Sequence, residues 1–194
     1  MNELSILNSN NFSNFIGKKS IIVGDLVPSK TSLLSQLLLH AIDLGYDKKI
    51  TLIEMCPTKT VHQNIKLTSR VNEYIDDFSQ ITYLTSRTLY WPRIKGNNSK
   101  DVLKYSIINS RNLNVCLTEF KNKPTKILLI NDINFYLHMG ALAYLLKIIS
   151  KSSTFIGTCF HSKFPYDDYN TGISRRERRL IDKLTLKMDK IIRV

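Results

Sequence analysis

An eight-residue segment from Gly24 to Thr31 has the residue types that bind the phosphates of a nucleotide. It reads Gly-Asp-Leu-Val-Pro-Ser-Lys-Thr, which departs by one residue from the phosphate-binding loop pattern G-x-x-x-x-G-K-[ST]. Lys30 would place its ammonium against β- and γ-phosphate oxygens, and the Thr31 hydroxyl would ligate Mg²⁺. Backbone N–H groups at the start of the following helix would hold the phosphates. The expected nucleotide-binding residues are Gly24, Asp25, Leu26, Val27, Pro28, Ser29, Lys30, Thr31 and Ser32.

Ser29 is the departure from that pattern, because it stands where the second glycine is expected. The glycine permits a positive φ and a close approach to phosphate, whereas serine has a Cβ that is strained in a left-handed conformation. Pro28 also has no N–H to donate. We therefore predict weakened affinity or slow turnover. The alternative is an ordinary strand-to-helix turn with a lysine in the first helical turn.

Asp132 is the second residue that could do this chemistry. It follows four consecutive apolar residues, 127–130, and Asn131. A continuous apolar run is typical of a strand buried on both faces of a parallel sheet. An acid at the end of such a strand could hold a Mg²⁺-bound water beside the nucleotide. The alternative is an acid that caps the next helix with its side chain.

Strands and helices alternate along the chain and would position these residues. Strand patterns occur at 20–23, 49–55, 81–85, 126–132, 153–159 and 190–194. Helical patterns occur at 31–45, 100–121, 135–149 and 174–188. In the second helix, the core face is predicted to contain Leu103, Ile107, Ser110 and Asn114. Ser174 and Glu177 form a capping-box pattern at the last helix.

Two further segments are less regular than these strands and helices. They do not interrupt the alternation of strands and helices, which indicates the fold class. Residues 60–78 suggest a helix with a loop. Residues 160–172 suggest a loop of about a dozen residues, and loops of that length often carry function. Alternation of this kind predicts an α/β three-layer sandwich around a mostly parallel central sheet. We expect one domain over residues 1–194, with about the first 15 residues at its periphery.

The chain is strongly basic, with a formal net charge of +12 and a pI near 9.6. Such a charge favours an anionic partner, which could be a nucleotide, a nucleic acid or an acidic protein. Positive charge is densest at Arg175, Arg176, Arg178 and Arg179, which could contact a partner or simply form a solvated helix face.

Several classes of protein are disfavoured by the same composition. No apolar run approaches the roughly 18 residues of a membrane span, and the N-terminus lacks a secretory pattern. We therefore expect a cytoplasmic protein without membrane contact. The three cysteines, Cys56, Cys116 and Cys159, are far apart, so buried free thiols are expected rather than a zinc site.

The order of these motifs resembles that of the P-loop NTPases, and most closely their RecA/KaiC-like ATPase branch. In this resemblance the loop is a degenerate Walker A motif, Asp132 belongs to a Walker B motif, and the cofactors are ATP and Mg²⁺. The resemblance also implies that an acid at the end of the second strand polarises the attacking water, which assigns a catalytic role to Glu54 beside Lys30. The alternative for Glu54 is a strand-end acid paired with a lysine. No glutamate directly follows Asp132, so the other arrangement of the catalytic acid is absent.

The expected function is therefore an ATP-binding P-loop protein, a slow or regulatory ATPase that acts through a partner and could form a homo-oligomer. One alternative is a small P-loop phosphotransferase with residues 160–172 as a lid. Another is a non-catalytic, degenerate NTPase fold that binds nucleic acid through its basic surface. Asn131 could read the γ-phosphate and His161 could contact a phosphate or substrate, although a structural role is favoured for Asn131.

Overall fold

A parallel six-stranded sheet forms the centre of the molecule. The computed structural model describes residues 11–25, 29–58, 61–62, 65–66, 69–162 and 166–194. The strands are β1 (Lys19–Gly24), β2 (Ile50–Glu54), β3 (Val61–His62), β4 (Ile65–Lys66), β5 (Thr82–Thr85), β6 (Ile127–Asn131), β7 (Thr154–Phe160) and β8 (Lys190–Arg193). The sheet order is β5-β2-β6-β7-β1-β8, and every pairing in it is parallel, while β3 and β4 form a separate antiparallel pair.

Helices cover both faces of this sheet. They are α1 (Ser29–Asp43), α2 (Pro92–Lys95), α3 (Ser99–Asn122), α4 (Asn134–Leu137), α5 (Leu142–Ile149) and α6 (Ile173–Thr185). Short 3-10 turns lie at Phe12–Phe15, Asp47–Lys49 and Val71–Glu73. Among the described residues, no helix combines the length and the apolar character required to cross a membrane.

The strands divide the core into two apolar clusters because successive side chains point to opposite faces. α1 packs on one face against alternate strand residues such as Ile22 and Leu129. Helices α3, α5 and α6 pack on the other face against Ile21, Leu128 and their neighbours. The three-layer α/β sandwich predicted from the sequence is confirmed. Phe12 and Phe15 are fully buried beneath α1, so residues just before β1 belong to the core rather than to its periphery.

The predicted core face of α3 is wrong by about one residue. Of its four predicted members only Ser110 is buried, and the buried face instead follows Val102, Ser106 and Asn109. Small polar side chains on that face are buried because they are hydrogen-bonded, so a search for apolar residues at helical spacing does not find them. The Asn109 amide donates to the Tyr90 carbonyl at 2.8 Å and accepts the Tyr90 N–H at 2.8 Å. The N-cap of α3 is Asn98, whose side chain accepts the Asp101 N–H.

The helix predicted over 135–149 is broken between α4 and α5. Ala141 is extended, and the Tyr136 ring packs so closely over Gly140 that a Cβ there would lie 2.5 Å from it. The break frees carbonyl groups of α4, and the Arg176 guanidinium donates to the Gly140 carbonyl at 2.8 Å and to the Leu137 carbonyl at 3.3 Å.

Two other local predictions are also wrong. Within 60–78, the described residues form β3, β4 and a 3-10 turn rather than a helix. The capping box at Ser174 does not form, because the N-cap of α6 is Gly172, at a φ of 76°, and Glu177 turns inward.

Candidate functional site

The carboxyl ends of the parallel strands bring the candidate residues to one edge of the sheet. Gly24 at the end of β1 is in register with Phe160 of β7, and Glu54 of β2 with Asn131 of β6. The chain leaves β1 and β2 toward the α1 face, and β6 and β7 toward the opposite face. Ligands of open α/β sheets bind where the direction of the connections reverses, outside the carboxyl ends of the strands. The β1/β7 and β2/β6 boundaries are two such points.

Lys30 lies in the first turn of α1 with only 4% of its surface exposed. Its ammonium donates to the Asp25 carbonyl, within the predicted phosphate loop. Burial lowers the pKa of Lys30, and the negative charge of Asp132 opposes that shift. The structure therefore brings these two predicted residues into one electrostatic environment. Leu26, Val27 and Pro28, which were predicted to complete the loop, lie outside the described residues.

The two ends of the loop are each fitted to their places. Gly24 is needed for close packing, because a Cβ on it would lie 2.4 Å from the Val194 carbonyl oxygen. Ser29 is the first residue of α1, where helical backbone has a φ near −63° and serine is not strained. Its buried hydroxyl oxygen has no hydrogen-bond partner among the described residues. Ser32 is half-buried in the same helical turn.

Asn131 is the centre of a buried hydrogen-bond network. Its Oδ1 lies 3.2 Å from the Thr31 hydroxyl and accepts the Thr158 hydroxyl at 2.9 Å. Its Nδ2 donates to Glu54 Oε1 at 2.9 Å and to the Ser69 carbonyl at 3.1 Å. Asn131 therefore joins α1, β2, β6 and β7, which is a structural role. The Thr31 hydroxyl also lies 3.1 Å from the Ser69 carbonyl oxygen.

Glu54 is completely buried and its carboxyl oxygens are both engaged. Oε1 accepts the Cys56 N–H at 3.0 Å, and Oε2 accepts the Val71 N–H at 2.9 Å. Burial raises the pKa of Glu54 to about 7, against the opposing effects of the hydrogen bonds and of Arg70. The lysine partner considered for Glu54 is not needed, because backbone N–H groups and an amide satisfy it.

Asp132 adopts a φ of 58°, in the left-handed region that non-glycine residues rarely occupy. Its N–H donates to the Thr158 hydroxyl at 2.8 Å, and only 5% of the residue's surface is exposed. The N-cap position of α4 is Ile133, so Asp132 is not the residue that caps this helix. Aspartate and asparagine adopt this region more readily than most residues, because a short polar side chain can hydrogen-bond locally.

A second buried polar cluster, on the other face of the sheet, was missed by the sequence analysis. Glu177 Oε2 lies 2.9 Å from Arg93 Nη2 and 2.9 Å from His138 Nε2. The Asn134 amide donates to Glu177 and to the Phe160 carbonyl, the latter at 2.9 Å. These residues are far apart in the sequence, and Glu177 matched a capping box, so no local pattern could identify the cluster.

The charges of this cluster balance. Burial alone would raise the pKa of Glu177, but the Arg93 guanidinium and the bonds from His138 and Asn134 lower it to about 2. Burial lowers the pKa of His138, so this imidazole is neutral at pH 7. Arg93 also donates to the Ser174 hydroxyl at 3.0 Å, which ties α2 to the start of α6. The cluster therefore links three helices next to the carboxyl end of β7.

The remaining candidates divide into exposed and structural groups. His161 Nε2 lies 2.6 Å from Asp182 Oδ1, and His161 borders a cleft of about 180 Å³ with Gly24, Asp25 and Arg193. Among the four predicted partner-contacting arginines, Arg176 is the one that caps α4, and the other three are exposed. Among the described residues, no group of three His, Cys, Asp or Glu side chains could hold a metal ion.

No protein-family model and no curated protein sequence matches this chain.

Proposed function

We propose that this chain binds ATP with Mg²⁺ at the carboxyl edge of β1, hydrolyses it slowly, and uses the bound nucleotide to control a partner. The observation that carries this proposal is the buried Lys30 ammonium at the start of α1, in the electrostatic field of Asp132. The ammonium already donates to the Asp25 carbonyl within the loop, and the oxygens of a polyphosphate would be further acceptors for it.

The energetics of Lys30 support a polyanionic ligand. Removing an ammonium from water is costly unless charges and hydrogen bonds compensate for the lost solvation. Burial lowers the pKa of Lys30, which is the signature of that cost. Phosphate oxygens supplied at the start of α1 would compensate it, and they would also meet the positive end of the helix dipole. The Ser29 hydroxyl, which has no hydrogen-bond partner among the described residues, belongs to the same helix terminus.

Thr31 and Asp132 are the residues that would hold the magnesium ion. Mg²⁺ prefers oxygen ligands and usually keeps several waters, so one or two protein ligands beside the phosphates are sufficient. Thr31 is joined to β6 through Asn131, the residue directly before Asp132. This bond keeps the two candidate ligands on adjoining elements.

Slow hydrolysis follows from the position proposed for the catalytic acid. Glu54 would have to release the Val71 or Cys56 N–H before it could orient an attacking water. Each such bond, once broken in a buried site, leaves an unsatisfied group that costs about 1–3 kcal/mol. We therefore propose that nucleotide occupancy, rather than rapid turnover, is the signal that a partner reads.

A thermal-shift titration with Mg·ATP, Mg·GTP and ADP tests the binding site. Saturation at about a hundredfold excess over Kd should stabilise the wild-type chain by about 2.7 kcal/mol. Lys30→Met keeps the apolar stem and should abolish this shift. Lys48→Met, an exposed lysine in a turn, is the matched control and should keep it. An equal shift in Lys30→Met, or no shift in the wild type, would refute the proposal.

Phosphate release measured without any acceptor separates hydrolysis from phosphotransfer. A slow ATPase releases phosphate from ATP alone, and Asp132→Asn should raise the Mg²⁺ concentration that half-maximal binding requires. Binding without release, followed by ATP consumption only when an acceptor is added, would instead favour the phosphotransferase alternative.

A further inference from the structure

The exposed face of α6 is densely charged. Five of its cations are exposed and make no side-chain hydrogen bond or ion pair with the described residues. They are Arg175, Arg178, Arg179, Lys183 and Lys187, the last of which lies just beyond the helix. We infer that this surface, here called the α6 basic face, binds the phosphate backbone of a nucleic acid.

Helical geometry places these cations on one side of α6. Arg175, Arg179 and Lys183 are four residues apart, so they follow one another along the same face at about 6 Å intervals. The opposite side carries Leu180, Ile181 and Leu184 into the core. Arg176 and Glu177 are excluded from the face, since the first caps α4 and the second is buried with Arg93.

Nearby acids do not neutralise the α6 basic face. Asp182 is the one exposed acid within α6, and its Oδ1 lies 2.6 Å from His161 Nε2. Asp168 accepts the Ser174 N–H through Oδ2 at 3.1 Å, which commits it to the start of the helix. The first turn of α6 contains no acid, although cations there are disfavoured by the helix dipole by about 0.3–1 kcal/mol each. An external anion would remove that cost.

The composition of this face favours a nucleic acid over an acidic protein. Protein–protein interfaces bury a core rich in aromatic and apolar residues. Within α6, every exposed residue is charged, and Leu186, just beyond the helix, is a single exposed apolar side chain at the end of the face rather than at its centre. A row of arginines and lysines without an apolar centre is instead the footprint of phosphate neutralisation, in which binding is driven by the release of counterions.

Fluorescence anisotropy with a labelled duplex of about 20 base pairs, titrated over roughly 50–200 mM NaCl, tests this inference. We expect the wild type to bind with a steep salt dependence. The variant Arg178→Gln/Arg179→Gln/Lys183→Gln should bind at least tenfold more weakly at about 50 mM salt, with a log–log slope smaller by about 2–3.

The control variant removes the same number of charges elsewhere. Lys104, Lys121 and Lys123 are exposed on or directly after α3, and their replacement by glutamine should leave the slope nearly unchanged. Equal losses in both variants would overturn the inference, as would a wild type that does not bind the duplex. Competition by polyglutamate as effective as that by unlabelled duplex would assign the face to an acidic protein instead. Lys30→Met should bind the duplex normally, so this result is independent of the nucleotide site.

Discussion

Glu54 holds a carboxyl group where water cannot reach it. Its pKa is raised by burial from 4.5 to about 7 in the folded chain. A group whose pKa is higher in the folded state stabilises the fold below its unfolded pKa, and this contribution is lost as the pH rises through the folded value. For Glu54 the loss falls between about pH 4.5 and pH 7.

We expect Glu54→Gln to remove that pH dependence, because glutamine does not ionise. Between pH 4.5 and 8 the wild type should lose about 3 kcal/mol of unfolding free energy relative to the variant, the equivalent of the pKa shift. Urea denaturation at several pH values measures the unfolding free energy of the wild type and of the variant. Glu119→Gln, at an exposed position of α3, should run parallel to the wild type. Parallel curves for Glu54→Gln would show that Glu54 does not titrate in this range.

Single residues were predictable where the motif was local and contiguous. Lys30 and Thr31 were selected by spacing, and the structure places them in the first turn of α1 as expected. The partners of Asn131 were not predictable, since they come from four separate segments whose proximity depends on strand order. The predicted roles of Glu54 and Asp132 in catalysis and metal binding stay predictions.

At the scale of elements, α2 and α6 are joined by the buried pair of Arg93 and Glu177. Glu177 has a pKa lowered to about 2, so its contribution to stability is present above pH 4.5 and is lost as the pH falls through 2. The contribution of Glu177 to stability therefore depends on pH in the opposite direction to that of Glu54.

Glu177→Gln should lower the unfolding free energy by about 3–5 kcal/mol at pH 7, because the Arg93 charge would remain buried without its partner. The double variant Arg93→Met/Glu177→Leu removes both charges and should cost less than the sum of the single changes. A double-mutant cycle in urea measures the coupling. Strict additivity would mean that the pair does not hold the two helices together.

The elements themselves were predicted unevenly, for a physical reason. All six strands of the sheet were found to within two residues at each end. The inner strands have apolar runs that are buried on both faces, whereas the edge strands β5 and β8 are partly exposed and were identified from short β-rich runs. The helices were less well defined, since α3 buries hydrogen-bonded serine and asparagine, and the Gly140 contact interrupts 135–149. Neither tertiary effect leaves a periodic pattern in the sequence.

At the scale of the whole molecule, all three cysteines are buried in the same apolar cluster on one side of the sheet, which confirms the prediction of buried thiols. Burial also raises the pKa of Cys116 and Cys159, so little reactive thiolate forms at either position. We expect a disulfide-exchange reagent at pH 8 to modify none of the three within minutes in the native protein. All three should react in concentrated guanidinium chloride. Rapid modification of one native thiol would contradict the closed packing around it.

The strand order has a consequence for how this chain is made. β1 pairs only with β7 and β8, and Ser20 meets Lys190 across that second pairing. The first of these partners, Gly157 of β7, lies 136 residues after Ile21. At about 5–20 residues per second, the ribosome needs roughly 7–27 s to synthesise that stretch. Until β7 is made, the apolar segment Ile21 to Val23 has no neighbouring strand in this sheet to pair with. Nascent chains of this protein should therefore be clients of ribosome-associated chaperones, and premature termination upstream of β7 should yield insoluble fragments.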